Sequence, residues 1–113
     1  MSNSKMAPVP GANEVQWDQN EIYLMLSDPM RRGMLLSMAR KGPNTATVLA
    51  GGGVKRTDSA LKHLVCLRAA GLVITKPNPN DGRRLLYALS PAVSVTLTET
   101  GAVIDFVFCV VRL

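Results

Sequence analysis

Apolar residues in the first half of the chain recur at helical spacing, whereas later ones gather in short β-branched runs, so the pattern predicts helices followed by strands. Residues 17–26 carry Trp17, Ile22, Tyr23, Leu24, Met25 and Leu26 without a breaker and predict a first helix. Ser27-Asp28-Pro29 then stops and restarts the chain. Asp28 can cap the next helix, and Pro29 suits its first position, where the N–H has no intrahelical partner. Met30, Met34, Leu35 and Met38 form the next stripe, with Arg31, Arg32, Arg40 and Lys41 mostly outside it, until Gly42-Pro43 ends the helix. A short third helix over residues 45–50 is cut off by Gly51-Gly52-Gly53, because three glycines carry a backbone cost that a helix interior bears poorly. A fourth helix is predicted from near Thr57 to Ala70. Its inward stripe is Ala60, Leu64 and Leu67, flanked by Leu61 and Cys66, and Gly71 supplies a left-handed stop.

Beyond Gly71 the period changes. Residues 72–75 (LVIT) read as a strand and residues 85–89 (LLYAL) as its partner. Between them, KPNPNDGRR holds two prolines and Asn80-Asp81-Gly82, a turn-rich tip flanked by arginines. Residues 93–111 are rich in valine, threonine and isoleucine, with a turn signal at Glu99-Thr100-Gly101. Extended strands are the preferred reading of this tail, and a final helix from Ala102 onward is the alternative. In either case Phe106, Val107, Phe108, Val110 and Val111 need cover, from the monomer core or from a homodimer interface. The whole is expected to be α+β.

At 113 residues, 47% of them hydrophobic, the chain suits one domain with a real core rather than two. Residues 1–14 read as a flexible polar arm and residues 15–113 as the domain. No apolar run approaches the roughly 18 residues of a membrane span, and the polar start does not resemble a secretory signal. Cytoplasmic location is therefore expected, with free thiols. Cys66 and Cys109 lie far apart without a CxxC pattern; they would form a thiol switch only if the tail folds back on the fourth helix, and a buried structural cysteine is the preferred reading. Charge sharpens the picture: seven basic residues against two acids fall between Lys55 and Arg84, accounting for the whole formal excess of +5. Such concentration suits a polyanionic partner. The run AGGGVKRT lacks the glycine spacing and preceding strand of a phosphate-binding loop. With one histidine and eight acids, no nucleophile elbow and no zinc motif, the chain is not expected to be an enzyme or to hold a metal or cofactor.

Two helices about a glycine turn, the second with basic residues at its start, make a helix-turn-helix, and the hairpin after it makes a basic wing. The segments LSDPMRRGMLLSMARKG, LKHLVCLRAAGLV and DGRRLLYAL together resemble the ArsR-type winged-helix transcriptional regulators over about residues 20–90. The Asp81-Gly82-Arg83-Arg84 wing and the phrase Leu97-Thr98-Glu99-Thr100-Gly101 are also similar to MarR-type regulators. The resemblance implies a winged helix-turn-helix with a two-stranded wing, and a homodimer that binds double-stranded DNA and represses transcription. The Cys-x-Cys pair of metal-sensing members has no counterpart in TATVLA, so no metal is expected. Asp58 and Leu61 stand where the family carries polar residues, and the β-branched tail replaces a dimerising helix.

On this reading the fourth helix enters the major groove. Arg56, Thr57 and Ser59 are candidates for base edges, and Lys55 and Lys62 for phosphates. Arg83, supported by Arg84, would reach a minor groove or its phosphates. His63 is counted with these candidates on the recognition helix, and is expected to bridge helix and wing rather than to bind metal. Two rival readings remain. One is a winged-helix protein-interaction module docking through the apolar tail; the other is a regulator whose small-molecule effector sits between the first helix and the tail.

Overall fold

A computed structural model describes residues 16–51 and 54–113, and of Val54 and Lys55 the backbone alone. The expected polar arm over residues 1–14 lies outside the described residues, as do Gly52 and Gly53. The chain folds as α+β, with helices α1 (Gln19–Leu26), α2 (Pro29–Lys41), α3 (Ala46–Leu49) and α4 (Val54–Ala69), then strands β1 (Val73–Lys76), β2 (Leu86–Leu89), β3 (Ser94–Leu97), β4 (Ala102–Asp105) and β5 (Val110–Arg112). Both sheets are antiparallel: β1 pairs with β2, and β3-β4-β5 form a meander.

Caps decide where the helices begin. Asp18 accepts from the amide of Glu21 at 2.9 Å, so α1 starts at Gln19 and Trp17 stays outside it, contrary to the expectation that it opens the helix. Asp28 accepts from the Arg31 amide at 2.9 Å with Pro29 at the first position, as the sequence led one to expect. Thr45 caps α3 through the Val48 amide. Helix α4 begins at Val54, earlier than the expected start near Thr57, which leaves Asp58 inside the helix rather than at its cap. It ends at Ala69, and the turn that follows places Gly71 at a φ of +85°, which an L side chain rarely adopts.

The core gathers Ile22 and Met25 from α1, Met34, Leu35 and Met38 from α2, Ala46 and Ala50 around α3, and Ala60, Leu64 and Leu67 from α4. The tail closes it. Its β-branched residues form strands, which suits side chains stiff at χ1, and Ile104 and Phe106 are buried among the helices. Trp17 meets Phe106 edge to face at 5.5 Å, and Tyr23 meets Phe108 likewise at 5.7 Å. The monomer core thus covers Phe106, while Val107 and Val110 remain exposed. Arg40, in the last turn of α2, donates through Nη1 to the carbonyls of Thr98 and Gly101, each at 2.9 Å, and so ties the β3–β4 turn to the helical layer. Gly101 is buried against the end of the chain, where a Cβ would collide with the Leu113 carbonyl oxygen. Among the described residues no helix is long and apolar enough to cross a membrane.

Candidate nucleic-acid interface

The hairpin β1–β2 is fixed to the helices through its second strand. Asn44, just before α3, exchanges backbone hydrogen bonds with Tyr87 at 3.1 and 2.8 Å, and β1 follows α4 directly through Leu72. The register runs from Val73 opposite Leu89 to Lys76 opposite Leu86. At the tip, side-chain turns replace a ladder: Asn78 Oδ1 accepts from the Asn80 amide at 3.0 Å, and Asp81 Oδ1 from the Arg83 amide at 3.0 Å. Asp81 also lies 3.6 Å from Arg84 Nε, so the acid in this basic segment shapes the turn and partly offsets Arg84. Arg83 is exposed and has no ion pair among the described residues.

Helix α4 is oriented by its stripe of Ala60, Leu64 and Leu67, all fully buried. At 100° per residue this stripe puts Thr57, Leu61 and Arg68 on one flank, Arg56, Ser59 and His63 on the other, and Asp58 and Lys62 outward. The first flank faces the hairpin. Thr57 and Leu61 share a cleft of about 330 Å³ with Thr45, Ala46 and Thr47 and with Arg83, Arg84, Leu85 and Tyr87. Arg56 and Ser59 line a different and larger cleft, with residues of α2 and α3. Lys62 is exposed without an ion pair among the described residues, and the side chain of Lys55 lies outside them.

His63 faces α2 instead of the hairpin, which corrects the expectation that it bridges helix and wing. Arg31 Nη1 lies 3.0 Å from His63 Nδ1, and His63 Nε2 lies 3.6 Å from Asp28 Oδ2. The same guanidinium donates through Nε to the Met25 carbonyl and through Nη2 to that of Leu24, both at 2.8 Å. Arg31 therefore joins the end of α1, the start of α2 and the middle of α4, and it holds the orientation of α4. The amide of Arg31, donating to the carboxylate, keeps Asp28 below the ordinary carboxylate range; partial burial opposes this, and the charges of His63 and Arg31 add to it.

Cys66 lies exposed on α4 rather than buried, because it falls beyond the Ala60–Leu64–Leu67 stripe, and both cysteines are free thiols. Between α1 and the tail, the region considered above for an effector, Tyr23 of α1 meets Phe108, and Trp17, just before α1, meets Phe106. Thr45 and Thr47 are additions to the candidate interface. Hydroxyls ahead of a basic helix, as in the run TATVLA, are a sequence signal for phosphate or base contacts. No protein-family model matches the chain, and neither does any curated protein or solved structure.

Proposed function

We propose that the chain is a sequence-specific regulator of winged-helix type that binds double-stranded DNA as a homodimer. The observation that carries this reading is the shared cleft in which Thr57 and Leu61 of α4 stand beside Arg83 and Arg84 of the hairpin. On this reading α4 is the recognition helix and β1–β2 the wing, and one duplex meets both: Thr57 and the threonines of α3 at the groove wall, Lys62 on a phosphate, and Arg83 reaching past the tip. Arg56 and Ser59 approach the duplex from the far flank of α4. Neutralised phosphates release counterions, so affinity falls steeply with salt.

Selection of bound duplexes from a random pool, followed by titration of the selected site at several salt concentrations, tests the proposal. Lys62→Ala and Arg83→Ala are each expected to reduce the slope of log affinity against log salt by about one. No complex with any duplex at low salt overturns it. The exposed Leu97, Val107 and Val110 favour a second reading, a protein-interaction module; that reading gains if DNA binding fails while these residues engage a protein partner.

A further inference from the structure

Arg56 and Ser59 line an open cleft of about 710 Å³, with Pro29, Met30, Gly33 and Met34 of α2 and Leu49, Ala50 and Gly51 at the end of α3. We propose that this cleft binds an aliphatic carboxylate, with the chain against the methionines and Leu49 and the carboxylate on the Arg56 guanidinium. Its size falls within the range of about 300–1,000 Å³ usual for small-molecule sites.

The wall chemistry selects the ligand. Met30, Met34, Leu49 and Ala50 supply a flexible apolar wall, and methionine adapts its shape to an unbranched chain. Opposite them stand one cation and one hydroxyl, both in the first turns of α4, where the amide dipoles add positive potential. Among the described residues no acid lines the cleft. Asp28, beside Pro29 in the chain, is committed to the Arg31 amide and to His63. Arg56 has no ion pair among the described residues, so a carboxylate would meet an uncompensated guanidinium and could accept two parallel hydrogen bonds from it. Gly33 leaves the space open: a Cβ there would meet nothing within 4 Å.

Regulation follows from the position of Arg56, and this step rests on the DNA-binding reading. Arg56 holding a carboxylate is withdrawn from the duplex, so ligand and DNA compete for one side chain on α4.

Titration calorimetry with hexanoate, octanoate and decanoate against the full chain tests the site directly. Saturable binding is expected, tightening about two- to fourfold with each added methylene, because part of every CH₂ leaves water. Octanol is expected to bind at least tenfold more weakly than octanoate. Arg56→Gln should remove that preference and leave octanol binding unchanged, whereas Gly33→Leu, which projects into the open space on a helix, should abolish binding of both while the circular dichroism spectrum is retained. No saturable octanoate binding, or equal octanoate affinity in Arg56→Gln, overturns the site. With a selected duplex, octanoate should weaken the complex of the wild type and not that of Gly33→Leu; binding of octanoate without this effect overturns the competition. Absence of any DNA complex falls instead on the DNA-binding reading, and the calorimetry still decides the site.

Discussion

Arg31 illustrates how one side chain holds three helices. Its Nε takes the Met25 carbonyl and its Nη2 the Leu24 carbonyl, which also accepts from Ser27, at the end of α1, and its Nη1 reaches His63 on α4. A lysine cannot reproduce this, since three donors in different directions need the planar fork. Asp28 completes the joint as a cap whose charge also suits the helix N-terminus. Its pKa is held below the ordinary value of about 3.9. A depressed folded-state pKa stabilises the fold above the unfolded value, and this contribution is lost as pH falls through the folded value. Asp28→Asn keeps a capping oxygen and removes the titration. At pH 7 the variant is expected to be less stable by about 0.5–1 kcal/mol, and the gap should narrow as pH falls below the ordinary carboxylate range. Urea unfolding at several pH values checks this; a gap that widens on acidification would contradict the assignment.

At the scale of elements, the β4–β5 turn stores strain. Val107 has φ +79° and is almost fully exposed, so a β-branched residue holds a left-handed conformation with no packing to offset it. The turn is closed from both sides: Phe106 donates to the Cys109 carbonyl at 2.9 Å, and the Val107 amide donates to Asp105 Oδ1 at 2.7 Å. Burial of Phe106 against Trp17 and stacking of Phe108 on Phe106 force this geometry on the residue between them. Val107→Gly is therefore expected to stabilise the fold by about 1 kcal/mol, by removing a Cβ that makes the backbone strained. Thermal and urea midpoints should both rise, and a fall in either would show that the valine side chain contributes packing instead.

The elements themselves were largely legible, because each rests on a local signal: Asp28-Pro29 at the start of α2, the Ala60–Leu64–Leu67 stripe of α4, Gly71 at its end, and the β-branched tail. What escaped depends on tertiary neighbours. The stripe separates Thr57 from Arg56, yet which flank of α4 meets the hairpin follows from tertiary ties such as the Asn44–Tyr87 bridge. Nothing local in the sequence reveals that Arg31, a remote residue, reaches His63. Gly51-Gly52-Gly53 argues for a later start of α4 than the structure has.

For the molecule as a whole, the homodimer proposed above requires a surface that pairs with itself, and the meander is the candidate. Among the described residues, both outer strands, β3 and β5, have one edge without a neighbouring strand in their sheet. Natural sheets blunt such edges with charge or proline. β5 carries Arg112, whereas Ser94–Leu97 contains neither, and all four of its residues are exposed. Val95 and Leu97 lie opposite the buried Ile104 and Ala102, so they share the inner face of the sheet but extend past the helices that cover it. A second copy paired antiparallel along β3 would satisfy the free backbone groups and cover both side chains about a two-fold axis, the symmetry a palindromic DNA site requires. Leu97→Lys places like charges across that axis at a position already 53% exposed, so the monomer should keep its stability. Sedimentation equilibrium at micromolar concentration is expected to give a dimer for the wild type and a monomer for Leu97→Lys. With DNA, the variant should lose cooperative binding to the two half-sites while retaining the affinity of one. If the variant dimerises as tightly as the wild type, β3 is not the dimer edge, and the charged β5 edge or the exposed Val107–Val110 turn becomes the surface to mutate next.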